Sequence, residues 1–160
     1  MQMAKFTAIE SGVRLLGLGN EILADDALGI LAAREVERRF GDVIQVAESC
    51  EAGFNVLDQL LGVSRLLIVD TIVTGKAKPG TIHIFEEDSV QHPLPGQSLH
   101  FIGLFEVLAA ARRLGLAAPD RVGIIAVEAA DCSTVGGEMH RDVRAAIPKI
   151  AEYAWRFCNE

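Results

Sequence analysis

The chain has 160 residues, half of them hydrophobic, and a formal net charge of -7. A length of this kind supports a core of its own, so residues 1–160 are expected to form a single domain. Without a Lys/Arg cluster there is no basic stripe for nucleic acid, and no apolar run reaches the ~18 residues that span a bilayer.

The opening stretch, MQMAKFTAIESGV, lacks the apolar centre of a signal peptide. Cys50, Cys132 and Cys158 are odd in number, far apart and without a CxxC pair, as expected of a reduced, cytoplasmic protein. Val13–Leu18 (VRLLGL) is a continuous apolar run ended by a glycine turn, the pattern of a strand buried on both faces. Asp25 or Asp26 is placed to cap the next helix, which divides into apolar and charged faces and ends before Gly41. A short strand follows over Val43–Ala47, and then a short helix, NVLDQLLG, stopped by Gly62. Arg65–Asp70 (RLLIVD) is a buried strand ending on a carboxylate. Pro79-Gly80 marks a turn into an alternating strand, Ile82 and Ile84 against His83 and Phe85. Pro93 and Pro95 keep the next loop from helix, and LHFIGLFEVLAAARRLG then predicts a helix that starts at His100 and is closed by Gly115. Val122–Glu128 is the last buried strand, and a C-terminal helix runs from about Gly137 to Cys158 with Pro148 as its kink. Strands alternating with helices imply an α/β fold with a mostly parallel sheet. The PGTIHIF segment follows its predecessor with no helix between, so it is the expected antiparallel strand.

The stretch GLGNEILADDALG admits three readings. A nucleotide site needs G-x-G-x-x-G, but the third glycine position holds Ile22, and Asp25 and Asp26 would repel a pyrophosphate at the helix start. A pair of helix-starting carboxylates gains about 0.3–1 kcal/mol from the macrodipole, which accounts for one of them. A cation site uses both the turn and Asp70: ligands collect beyond the carboxyl ends of parallel strands, where the strand order reverses. His100 at a helix start is expected to be neutral and able to bind metal. Asp26 or Asp25, Asp70 and His100 then form an O,O,N set suited to nickel or zinc.

These residues resemble, in order and spacing from about Val13 to Ile150, the nickel–iron hydrogenase maturation endopeptidases. The resemblance rests on GLGNEILADDALG, LLIVDTIV, KPGTIHIF, SLHFIGLFEVL and GIIAVEA taken together. It implies a three-layer α/β/α sandwich, phosphorylase/hydrolase-like, with a five-stranded mixed sheet in the order 2-1-3-5-4 and strand 4 antiparallel. It also implies that Asp26, Asp70 and His100 contact nickel and carry catalysis. Gly19, Asn20, Asp25, Glu51, Gly53 and Glu128 are then expected to bind substrate or to support the ligands, and Glu21 to be a solvated loop residue. The implied reaction removes the C-terminal extension of a hydrogenase large-subunit precursor after nickel insertion. No cofactor is held permanently, because nickel arrives with the substrate; zinc or cadmium can stand in for it in a crystal. Water activation by the metal or by a carboxylate base both stay open. A monomer is expected. A metal-loading chaperone that binds without cutting, or a nucleotide-binding α/β protein, are the alternatives.

Two stretches depart from the family pattern: ESCEAG at 48–53 replaces a Gly-Gly-Thr-like loop, and Val127 stands where proline is common. Both bear on the partner more than on the reaction. Cys50 is expected to be an ordinary loop or buried thiol. Cys132 with His140 would be a hydrolase dyad only if geometry brought them together. His83 is expected at an exposed strand position and His92 in a loop, while Tyr153, Trp155 and Phe157 pack or face a partner.

Overall fold

The computed structural model describes residues 10–89, 100 and 103–160. The stretch at 1–9, the loop expected over 90–98 and His92 within it lie outside the described residues. The strands are β1 (Glu10–Leu18), β2 (Ile44–Ser49), β3 (Val63–Ile72), β4 (Ile82–Glu86) and β5 (Arg121–Glu128). They form one five-stranded sheet in the order β2-β1-β3-β5-β4. All neighbours are parallel except β4, which runs antiparallel to β5. The α-helices are α1 (Leu28–Phe40), α2 (Leu57–Leu60), α3 (Leu104–Arg113), α4 (Arg141–Arg144) and α5 (Ala146–Asn159). None of the described helices is long and apolar enough to cross a membrane.

The alternation of the central strands builds the three layers. On β3, Leu67 and Val69 turn towards α1 and α5 in one core, with Leu15, Leu28, Ile150 and Phe157. Leu66, Ile68 and Ile72 turn the other way and meet Val56, Leu60, Leu104 and Leu108 around α2 and α3. Both faces of β3 are thus covered, which is why it reads as an unbroken apolar run rather than an alternating one. β1 carries a charge within its own run. Arg14 is 8% exposed, and its guanidinium donates to the carbonyls of Gln59 (2.9 Å) and Leu61 (2.7 Å) and to Gln45 Oε1 (3.0 Å). The arginine therefore closes the C-terminal end of α2, where carbonyls lack helical partners.

Three expected boundaries move. β3 continues past Asp70 to Ile72, because β5 pairs with it as far as Ile72↔Glu128. β1 stops earlier on the other side, its last pairing to β3 being Gly17↔Val69. Asp70 therefore lies inside its strand, just beyond the point where β1 turns away. Pro148 does not kink the C-terminal helix: the break falls at Ala145, and Pro148 sits in the first turn of α5, where no amide donor is needed. His100 does not start the long helix. Gly103, at φ +80, precedes it as a left-handed residue, and the helix begins at Leu104. The aromatic residues of α5 pack as expected, with Phe157 buried and Trp155 stacked on Phe40 at 4.8 Å between centroids.

Helix α1 lies against the sheet through Gly29. A Cβ there would be driven into the Leu18 carbonyl oxygen and would lie 2.7 Å from the Val69 carbonyl oxygen, both of them backbone. In an unobstructed helix Gly→Ala stabilises by roughly 1 kcal/mol. Here Gly29→Ala is expected to destabilise by about 2–3 kcal/mol, so the sign of the change in a denaturant titration decides whether this close approach exists.

Candidate active site

β1 ends at Leu18, and the chain leaves the sheet through Gly19 and Asn20. The amide of Gly19 donates to the Ser49 carbonyl (3.1 Å) and that of Asn20 to the Asp26 carbonyl (3.2 Å), so neither is free for a phosphate. Gly19 is at φ +154, and a Cβ on it would collide with the Asp26 carbonyl oxygen. The glycine turn thus admits the backbone of the acidic pair rather than a nucleotide. Asn20 turns its side chain onto the loop, Oδ1 accepting from the Ile22 amide at 3.2 Å.

Asp25 and Asp26 lie inside a 3₁₀ turn, Ala24–Ala27, that leads into α1. Neither caps a helix: no side-chain cap bond is made at the start of the turn or of α1. Asp25 is 1% exposed and spends its carboxylate elsewhere. Oδ2 accepts from the amides of Ala130 (2.8 Å) and Asp131 (2.9 Å), and Oδ1 from that of His140 (2.6 Å). Its own amide donates to the Asp131 carbonyl at 2.8 Å. Asp25 therefore ties the segment after β5 to the turn after β1, as a support rather than a helix cap. The preceding Ala24 has φ 36, and it is the only described non-glycine residue with positive φ. That conformation costs an alanine roughly 1–2 kcal/mol, which the bonds of Asp25 offset.

Asp26, Asp70 and His100 come together, each offering a ligand atom, with these atoms all within 4.8 Å of one another. Ligands sharing one ion through bonds of about 2.1 Å stand at most about 4.2 Å apart, so small side-chain movements suffice to close the set. Asp70 is fully buried; its Oδ1 accepts from the Thr71 amide (2.7 Å), and its Oδ2 lies 3.4 Å from His100 Nδ1. Asp26 Oδ1 accepts from the Thr71 hydroxyl at 3.3 Å.

Burial pushes the Asp26 carboxyl above the ordinary aspartate range, although the His100 charge, Thr71 and the Asn20 amide pull it down. His100 is also held above an ordinary imidazole. The hydrogen bond to Asp70 is the main cause, opposed by burial and reinforced by the charges of Asp70 and Asp26 and by a backbone bond to Cys50. This direction runs against the expectation of a neutral imidazole, because the carboxylates of Asp70 and Asp26 favour the protonated ring.

The remaining expected residues separate into neighbours and distant supports. The ESCEAG loop adjoins the site as expected, since Cys50 bonds His100 through its backbone, and a Cβ on Gly103 would lie 3.7 Å from Gly53 Cα. Glu51 is exposed and accepts from Asn55 Nδ2 (3.2 Å). Glu21 is a surface residue paired with Arg34 at 2.9 Å. Glu128 is not brought to the triad. It is 1% exposed and accepts from the Thr74 amide (2.8 Å), the Thr74 hydroxyl (2.8 Å) and the Gly75 amide (3.0 Å), holding the connection after β3. Burial works to raise its pKa, but these donors together with His83 outweigh it and lower it. His83 is not simply exposed, since its Nε2 stands 3.5 Å from Glu128.

Cys132 and His140 form no dyad. His140 Nδ1 accepts from the Asp142 amide (3.2 Å) and caps α4, while Cys132 Sγ lies 3.4 Å from the Thr71 hydroxyl. Burial, with Asp26, Asp25 and Asp70 nearby, pushes the thiol up to about 11, so it is protonated and a poor nucleophile. Thr71 and Cys132 beside Asp26 are what sequence reasoning missed. The signal for Thr71 was its place directly after Asp70 in a strand; for Cys132 no local pattern pointed to it.

Residues 30–156 match the family model described as hydrogenase maturation protease (HycI). Asp70 and His100 lie inside that match and Asp26 just before it. The chain is 32% identical over 106 residues to the hydrogenase 2 maturation protease of Escherichia coli (strain K12), covering 64% of this chain and 65% of that one, just under two thirds of its length. It is 30% identical over 141 residues to the hydrogenase expression/formation protein HoxM of Cupriavidus necator, covering 86% of this chain and 69% of that one. Among solved structures, the [NiFe] hydrogenase maturation protease HybD from Thermococcus kodakarensis superposes with a TM-score of 0.75 at 28% identity, over 92% of this chain and 99% of that one. The hydrogenase maturating endopeptidase HybD from E. coli gives 0.74 at 27%, over 89% and 88%.

Two outcomes test this geometry. Asp25→Ala leaves three backbone amides without their acceptor, and a loss of about 3 kcal/mol or more is expected in chemical denaturation. Cation uptake by the triad must displace protons held more tightly than usual on His100 and Asp26. Cd²⁺ affinity, titrated from about pH 8 down to about pH 5.5, is therefore expected to fall as the pH drops through the raised His100 pKa.

Proposed function

From the premise that this chain belongs to the hydrogenase maturation protease family, we propose that it is the endopeptidase that removes the C-terminal extension of a nickel–iron hydrogenase large-subunit precursor once nickel is in place. The observation that carries this reading is the gathering of Asp26, Asp70 and His100 at the carboxyl edge of the sheet, between β1 and β3, where the strand order reverses. Two carboxylates and an imidazole make a set that suits a borderline divalent ion. Three ligands leave coordination positions open, so the precursor's own ligands complete the shell and the nickel belongs to the substrate.

The role of each residue follows from its surroundings. Asp70, fully buried and bonded on both oxygens, is the fixed ligand. His100 gives up its proton on meeting the ion, with Asp70 and the Cys50 backbone orienting its ring. Asp26, 7% exposed, closes the set from the turn before α1. Exposed apolar side chains stand on the surrounding loops: Ile22 after β1, Phe54 after β2, Val73 after β3 and Val135 after β5. Such a rim suits an extended polypeptide better than a small polar molecule. Three free thiols fit the reducing cytoplasm, where the protein acts on its precursor as a monomer.

Purified protein incubated with nickel-loaded and nickel-free precursor tests the proposal. Cleavage of the loaded form alone is expected, falling to background in Asp70→Asn and His100→Ala. Equal cleavage of both forms rejects nickel gating; binding without cleavage favours the chaperone instead.

A further inference from the structure

Asp70 and Thr71 are consecutive in β3, so their side chains leave opposite faces of the sheet. Asp70 turns to His100, ahead of α3, and Thr71 turns to Asp26, ahead of α1. The two carboxylates of the triad thus come from different layers, and Thr71 touches both. Its amide donates to Asp70 Oδ1 at 2.7 Å and its hydroxyl to Asp26 Oδ1 at 3.3 Å. Thr71 is 1% exposed, so no water competes for these bonds.

The hydroxyl has a third neighbour, Cys132 Sγ, at 3.4 Å. A hydroxyl holds one proton, and an ionised carboxylate can only accept. With the hydroxyl proton directed at Asp26 Oδ1, the thiol is the donor to Thr71, and the bonds run in one direction: Sγ–H to Oγ1, Oγ1–H to Oδ1. Cys132 lies in the segment anchored by Asp25 through Ala130 and Asp131. The orientation of Asp26 is accordingly linked to that segment by two routes.

We propose that Thr71 is a positioning residue for the triad, holding the carboxylates of Asp26 and Asp70 in register across the sheet edge with Cys132 orienting its hydroxyl. This role rests on the reading of Asp26, Asp70 and His100 as cation ligands. Only the Asp26 arm depends on the side chain; the bond to Asp70 comes from the backbone and survives substitution. Valine keeps the shape and strand preference of threonine while removing the hydroxyl.

Calorimetric titration of the whole chain with Cd²⁺, without precursor, is the test. Thr71→Val is expected to weaken binding roughly 10-fold or more, the usual loss when a support of a metal ligand is removed. Thr71→Ser is expected to restore it to within about threefold, since the hydroxyl returns. Rescue by serine separates hydroxyl positioning from simple packing, because serine lacks the methyl that packing would need. Should valine unfold the chain, Thr71→Ala carries the same expectation. Undiminished binding in Thr71→Val, or binding in Thr71→Ser as weak as in Thr71→Val, overturns the role of Thr71 alone, provided that Asp70→Asn abolishes wild-type binding. Wild-type protein that takes up no Cd²⁺, or Asp70→Asn that binds as wild type, overturns the ligand reading and the role of Thr71 with it.

Discussion

The arrangement depends on one buried carboxylate that ligates nothing. Asp25 gathers three backbone amides from a segment more than a hundred residues downstream, Ala130, Asp131 and His140. A buried carboxylate is costly unless its lone pairs are filled, and amides away from water are costly unless accepted. Each satisfies the other, so the turn after β1 and the segment after β5 are held together. Ala24 can then keep a conformation that alanine ordinarily avoids, and the 3₁₀ turn presents the next residue, Asp26, towards β3.

The site exists because neighbouring strands end at different heights. β3 continues to Ile72 alongside β5, while β1 leaves after pairing Gly17 with Val69. The notch beside Asp70 is filled by the glycine turn and the 3₁₀ turn, whose closeness requires Gly19 beneath the Asp26 carbonyl. Acids from two layers are brought together in a buried region; burial raises the Asp26 carboxyl, while the hydrogen bond to Asp70 raises His100 against the effect of burial. In the proposed reading a divalent ion offsets this by neutralising the paired carboxylates. In that reading three ligands alone hold the ion weakly, and the precursor's own ligands complete its shell.

Glu128 and Glu21 show how similar residues take different parts. Glu128 ends a buried strand, as Asp70 nearly does, yet its carboxylate is occupied by Thr74 and Gly75 and stabilises a loop. Glu21 lies close to the acidic pair in sequence but pairs with Arg34 at the surface. The difference lies in what each side chain meets across the fold, since all are carboxylates at or just beyond the carboxyl ends of strands.

The sequence by itself determined the α/β class, the five strands and the antiparallel place of β4, and it pointed to Asp70, His100 and one of the adjacent Asp25 and Asp26, the choice of Asp26 coming from the family resemblance. Those features come from local patterns, namely apolar runs, glycine and proline punctuation, and motif order, which are written in consecutive residues. Only the tertiary structure decided that Asp25 anchors a distant segment, that His100 precedes its helix and faces two carboxylates, that Pro148 merely opens a helix, and that Thr71 and Cys132 stand beside Asp26. Each of these depends on which groups meet across the sheet edge. Hydrogen bonds between residues tens of positions apart leave no periodicity in the chain, and burial, which sets the protonation of the triad, is a property of the packed layers alone.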